Sequence, residues 1–234
     1  MSRILLLLLH SIRINTNRMI KAVIFDMDGL LIDSEPFWRL SQKNTFSKRG
    51  INLCIDDFES FMGKRIDEVL DIIFSRFPNQ VETQAETAEQ IIDGVIDLVM
   101  EKGLALPGVE KTLKELKSKN YKIALASSSH LRIIKAVLKK LDLESYFEVV
   151  HSAQFEEYGK PHPQTFISTA KMLDVSPSEC LVLEDSFHGV IAALAANMKC
   201  VAIPDTNASN LKQFVVADQV LESMEDFSIE KLID

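Results

Sequence analysis

The stretch Ala22-Val23-Ile24-Phe25-Asp26-Met27-Asp28-Gly29 runs four apolar side chains straight into two carboxylates and a glycine. Four consecutive apolar residues without polar alternation fit a strand covered on both faces, as the strands of a parallel sheet are. The same signature recurs at residues 123–126, 181–183 and 200–203. The segments between these runs carry apolar residues at helical spacing. Residues 109–119 set Leu113 and Leu116 on one side, with Lys111, Lys114, Glu115 and Lys117 elsewhere. Residues 131–141 form a second amphipathic stretch, and a third helix is expected after Lys160-Pro161-His162-Pro163, where proline suits a helix start. Strand and helix in alternation define an α/β chain with a Rossmann-like, doubly wound parallel sheet.

The alternation is interrupted once. Between residues 36 and 103 only helical patterns occur, at 37–49, 66–77 and 81–101. Turn residues border this stretch at Ser34-Glu35-Pro36 and at 103–108, as hinges would. The expected division is therefore a catalytic core of residues 19–35 and 104–234 carrying an all-helical cap of residues 36–103. Residues 1–18 stand apart. Arg3-Ile4-Leu5-Leu6-Leu7-Leu8-Leu9 looks like the start of a signal peptide, but its apolar run falls far short of the roughly 20 residues that span a bilayer, and no small-x-small cleavage site follows. A dispensable leader or mis-called start ahead of Met19 is expected, with an export signal as the rival.

Composition narrows the function. The 234 residues are 47% hydrophobic, enough for a sizeable core, and carry a net charge of -8, which opposes binding to nucleic acid or anionic membrane. Cys54, Cys180 and Cys200 lie far apart with no CxxC pair, so they read as free thiols in a reducing cytoplasm; a monomer is expected.

In an open α/β sheet the binding crevice lies at the carboxyl ends of the strands, so chemistry is expected directly after each apolar run. Those positions hold Asp26, Ser127 and Glu184-Asp185. Any one of them is explained by a chain leaving its core. Together, Asp26 and Asp28 beside Glu184 and Asp185 crowd four carboxylates into one crevice, and their repulsion calls for a divalent cation. An all-oxygen site favours a hard ion, and Mg2+ takes one or two carboxylates plus substrate phosphate. Zinc is disfavoured because no His or Cys stands at ligand spacing here. The cation and Lys160 would give this acidic protein a local site for a small-molecule phosphate ester.

These residues resemble the haloacid dehalogenase superfamily: Phe25-Asp26-Met27-Asp28-Gly29 through Asp33-Ser34, then Ser127, Lys160 and Glu184-Asp185-Ser186, in that order. The helical insert after the first motif is similar to the cap of the beta-phosphoglucomutase-like branch. Closer still, Asp26-Met27-Asp28-Gly29-Leu30-Leu31-Ile32-Asp33-Ser34-Glu35-Pro36, Arg65-Ile66-Asp67 and Gly159-Lys160-Pro161-His162-Pro163-Gln164 resemble the 2-deoxyglucose-6-phosphate, or hexitol phosphate, phosphatases. The resemblance implies a Mg2+-dependent hydrolase of a small sugar or polyol phosphate that works through an aspartyl-phosphate. Asp26 would be nucleophile and metal ligand. Asp28 would protonate the leaving oxygen and later take a proton from water, and would give its backbone carbonyl to the metal. Ser127 and the amide of Ser128 would hold the phosphoryl oxygens, and Ser129 only loosely belongs with them. Lys160 would neutralise the phosphoryl group. Asp185 would bind the metal while Glu184 orients Lys160 or metal-bound water, though their order is open.

Other residues read more blandly. His188 lacks any accompanying GxSxG motif and is expected to be incidental. Gly63-Lys64-Arg65 offers two cap cations that could grip a substrate or merely start a helix, and Phe37 and Trp38 read as cap core. Of the rival functions, beta-phosphoglucomutase is disfavoured because the family's Ser-Lys-Asn stretch is replaced by Ser129-His130-Leu131. A dehalogenase needs neither Asp28 nor magnesium, and a non-catalytic sugar-phosphate-binding protein would not need the full set.

Overall fold

The computed structural model describes residues 19–61, 63–205 and 211–232; the expectations for residues 1–18 lie outside them. Six parallel strands form one sheet: β1 (Ala22–Phe25), β2 (Lys122–Ser127), β3 (Val149–Ser152), β4 (Cys180–Glu184), β5 (Lys199–Ala202) and β6 (Gln219–Val220), in the order β3-β2-β1-β4-β5-β6. This is a doubly wound, Rossmann-like sheet whose order reverses between β1 and β4. The apolar runs are strands because both their faces are covered. Val23 and Phe25 join one buried cluster with Leu113, Leu116, Ile133 and Val137, while Ala22 and Ile24 join another with Phe166, Ala170 and Ala192.

The expected helices are present as α5 (Val109–Ser118), α6 (Leu131–Leu141) and α7 (Gln164–Met172), with α8 (Phe187–Ala195) following β4. Between β1 and α5 lie α1 (Glu35–Ser47), α2 (Ile55–Phe61), α3 (Ile66–Arg76) and α4 (Gln84–Lys102), an all-helical cap with no strand among the described residues. The start of α4 differs from the periodicity, which runs back to residue 81. Thr83 and Glu86 form a reciprocal cap, the Thr83 N–H donating to Glu86 Oε2 at 2.8 Å and the Glu86 N–H to Thr83 Oγ1 at 3.2 Å, and Val81 is left 99% exposed. The two chain passages into the cap run side by side, with Ile32 bridged antiparallel to Ala105 and the Leu106 N–H donating to Leu31 O at 3.0 Å. Helix α4 lies on α6, where Arg132 pairs with Glu89 and Asp93, both at 2.5 Å. The larger buried cluster continues from the sheet into the cap through Phe46, Val69, Leu70, Ile91 and Val95. No helix among the described residues is long and apolar enough to cross a membrane.

Candidate active site

Strands β1 and β4 pair with Phe25 opposite Leu183, and the Asp26 N–H extends the ladder by donating to Leu183 O at 3.0 Å. Backbone pairing alone thus delivers Asp26 and Glu184 side by side at the switch point of the sheet. Lys160, on the loop between β3 and α7, reaches the same point. The residue is 5% exposed, and its ammonium donates to Asp26 Oδ1 at 2.6 Å and to Glu184 Oε1. The other Glu184 oxygen accepts the Ser186 N–H at 2.8 Å and the Ser186 hydroxyl at 3.0 Å. With both oxygens engaged, Glu184 holds Lys160 and the start of α8. Asp185 faces the cavity beside Asp26, Asp28 and Gly29.

The donor set suits a hard cation. One oxygen each of Asp26, Glu184 and Asp185 lies within 4.8 Å of the others, and no nitrogen or sulfur ligand joins them among the described residues. Burial is the largest influence on these groups. It pushes Asp26 up to about 7 against the pull of Lys160, with Glu184 and Asp28 adding to the rise. It likewise holds Asp185 well above the usual carboxylate range, reinforced by Glu184 and then Asp26. Burial also opposes the charge of Lys160, but Asp26 and Glu184 outweigh it and keep the ammonium above its ordinary value. The pocket is thus short of positive charge, the deficit a divalent cation would fill.

Asp28 is held by four uncharged donors. Its Oδ1 accepts from Ser34 Oγ at 2.5 Å and Trp38 Nε1 at 3.2 Å, and its Oδ2 from Ser129 Oγ at 2.6 Å and Ser127 Oγ at 3.3 Å. Ser127 is fully buried and also accepts the Ser129 N–H at 3.0 Å, so it stands behind the cavity wall that Ser128 and Ser129 form. The Ser128 hydroxyl is buried without a partner among the described residues, as a group awaiting an oxyanion would be.

The carboxylates and Lys160 stand out in the sequence, and Glu184 meets Lys160 as expected, but the groups that hold Asp28 do not stand out. Trp38 packs in the cap as expected, yet its indole N–H serves Asp28. Ser34 and Ser186 stand inside the sequence motifs, where nothing in the residue pattern marks their roles. Gly29 has φ +74°, and a Cβ there would fall 2.0 Å from Asp185 Oδ2; a Cβ on Gly189 would meet Glu184 Oε1 at 1.7 Å. Of the two cap cations, Lys64 lines the cavity, whereas Arg65 turns away. The Arg65 guanidinium donates to Ala153 O at 3.1 Å, Glu156 O at 2.7 Å and the Asp67 carboxylate. His188 does not line the cavity.

A Rossmann-like sheet, a helical cap and an acidic cluster at the β1/β4 switch point describe a capped hydrolase, and the family model for haloacid dehalogenase-like hydrolases matches residues 23–203. The chain belongs to that family. Within it, the chain is 37% identical over 220 residues to hexitol phosphatase B of Escherichia coli, covering 94% of this chain and 99% of that protein. It is also 31% identical to beta-phosphoglucomutase of Bacillus subtilis, over 91% of this chain and 93% of that one. The crystal structure of beta-phosphoglucomutase from Clostridium difficile superposes with a TM-score of 0.79 at 31% identity, covering 92% and 96% of the two chains.

Proposed function

We propose that the chain is a Mg2+-dependent phosphatase that hydrolyses a small sugar or polyol monophosphate through an aspartyl-phosphate on Asp26. The observation that carries this reading is the placement of Asp26. Its Oδ1 is held by Lys160 at 2.6 Å, while its Oδ2 has no protein partner among the described residues and the residue lines the cavity beside Asp185 and the orphaned Ser128 hydroxyl. Asp26 and Asp185 would hold Mg2+, with the Asp28 carbonyl as the family resemblance implies. When bound, the cation supplies positive charge that keeps Asp26 ionised and draws in the phosphate.

Asp26 Oδ2 attacks phosphorus in line as the bond to the leaving oxygen breaks, and Asp28 passes that oxygen a proton. Lys160 and the Ser128 amide and hydroxyl balance charge on the phosphoryl oxygens. Water then attacks phosphorus, loses a proton to Asp28 and releases Asp26 and inorganic phosphate. For either transfer Asp28 must release at least one of the donors that now hold it.

Hydrolysis is preferred to mutase chemistry because a mutase must also grip a second phosphate. His130 instead caps α6 by accepting the Arg132 N–H at 3.3 Å, Arg132 is spent on Glu89 and Asp93, and Arg65 on backbone carbonyls, which leaves Lys64 as the only cation on the cap side of the cavity among the described residues. All these groups come from one chain, so a monomer suffices, and its free thiols fit the cytoplasm.

The test is phosphate release from p-nitrophenyl phosphate and from hexose and hexitol phosphates, with Mg2+ or EDTA. Wild type should turn over with Mg2+ alone, and Asp26→Asn should lose at least about a thousandfold in kcat. No release from any ester sinks the phosphatase reading. Turnover by Asp26→Asn sinks only the nucleophile, and conversion of beta-glucose 1-phosphate to glucose 6-phosphate would replace hydrolysis by isomerisation.

A further inference from the structure

Helix α1 presents Glu35, Trp38 and Gln42 to the cavity. Their spacing of three and then four residues puts them on one face, so that Gln42 lies about 10 Å along the axis from Glu35. The first two have partners. Glu35 Oε1 accepts from Arg39 Nε at 2.8 Å, and Trp38 Nε1 donates to Asp28. Gln42 has none: it is 5% exposed, lines the cavity, and its amide makes no hydrogen bond among the described residues.

The amide of Gln42 opens to the cavity, where its two N–H donors and its carbonyl acceptor can meet a ligand. Tertiary structure normally satisfies such a group, and here only the cavity is left to do so. The wall around it defines what can. Phe58, Phe61, Ile66 and Val69 are apolar, and Lys64 is the one cation on the cap side among the described residues. A second phosphate on the leaving group would meet that lysine alone there, short of the charge it carries. An uncharged chain of carbons bearing hydroxyls fits both features, because its C–H faces lie against the apolar wall and each hydroxyl donates and accepts in turn.

We infer that Gln42 is a specificity-determining residue that hydrogen-bonds hydroxyls of an uncharged, polyhydroxylated leaving group, with Glu35 accepting from a further hydroxyl nearer the hinge. The inference rests on the phosphatase reading and adds to it the residue that reads the alcohol. The two halves of the substrate then fall to different elements. Strands β1 and β4 with the Lys160 loop hold the phosphate, and the stripe on α1 reads the leaving group.

The experiment is a ratio of kcat/KM for a hexitol phosphate over p-nitrophenyl phosphate, whose leaving group has no hydroxyls for Gln42 to bind. Gln42→Leu keeps the approximate volume and removes the amide, and should lower the ratio by about tenfold, the scale of a lost pair of hydrogen bonds in a closed site. Gln42→Glu keeps an acceptor and should lie between Gln42→Leu and wild type. Circular dichroism melting checks that each variant folds, and Gln42→Met replaces the leucine variant if that one does not. A ratio unchanged within threefold overturns the inference, because a packing role would slow both esters together. Failure of wild type on every ester is a separate outcome that removes the phosphatase reading, and this inference with it.

Discussion

At the residue scale the site depends on the side chain missing at Gly29 as much as on those present. Gly29 occupies the left-handed region, which costs another residue about 1–2 kcal/mol, and Asp185 lies where its Cβ would be. Gly29→Ala should therefore displace Asp185. A shift of about 1 Å in a positioned group costs on the order of a hundredfold in rate, so kcat/KM should fall by about that factor while Mg2+ is bound more weakly, as activity titrated against the ion would read. Asp26 gives a prediction in pH. Its carboxyl is raised to about 7 in the metal-free molecule by burial, so the folded state holds this proton more tightly than the unfolded one. The associated stability is fully present below about pH 4, is lost as pH climbs, and is gone above about pH 7. Asp26→Asn, which stays neutral, should in EDTA be more stable than wild type at pH 8, by on the order of a few kcal/mol, with the gap closing toward pH 4. Urea unfolding at the two pH values measures this, and an equal gap at both would refute it.

At the scale of elements, one contact between cap and core reaches the loop that carries Lys160, and it is made by an arginine. Arg65 precedes α3 and donates to carbonyls of Ala153 and Glu156, in the loop that goes on to deliver Lys160. Glu156 is anchored to β3 by the His151 ring at 2.6 Å. Arg65→Ala should lower kcat/KM by about tenfold through a less ordered Lys160, and Arg65→Lys, a point charge without the fork, should recover only part. Steady-state kinetics decides it, and wild-type rates in Arg65→Ala would dismiss the link. The same elements show why legibility in the sequence was uneven. Strands β1, β2, β4 and β5 were readable because burial on both faces writes an unbroken apolar run, and the ends of those strands exposed Asp26, Ser127 and Glu184. Strand β3 was not, because Val149-Val150-His151-Ser152 has two apolar residues and a histidine buried by its pairing with Glu156. Strand β6 has two residues. Helix α2 is seven residues with acidic Asp56 and Asp57, and Asp57 is held by Arg76 at 2.5 Å and the Cys54 N–H at 2.9 Å. Such partners are set by tertiary structure. The cavity face of α1 was hidden for another reason: Trp38 and Gln42 sit at helical spacing that reads the same whether the helix faces a core or a ligand.

For the whole molecule, the three thiols report on global opening. Cys54 is exposed on the cap, whereas Cys180 on β4 and Cys200 on β5 are buried in the sheet face that packs against α7 and α8. Burial pushes the Cys180 thiol up to about 12 and raises Cys200 well above the ordinary range, so neither is a thiolate in the folded state near neutrality. A thiol reagent at pH 8 should label one cysteine quickly and the other two only through unfolding. That slow phase then measures cation binding without any turnover. A cation that binds only the folded chain stabilises it by RT ln(1 + [L]/Kd), about 2.7 kcal/mol at a hundred times Kd, so saturating Mg2+ should slow labelling of Cys180 and Cys200 by about a hundredfold and leave Cys54 unchanged. Asp185→Asn should abolish most of the slowing, because it removes a proposed ligand while both thiols stay in place. Mass spectrometry of time-resolved labelling distinguishes the sites. If Mg2+ leaves the two buried thiols reacting at their metal-free rate, Asp26 and Asp185 do not hold that ion, whatever the enzyme's activity proves to be.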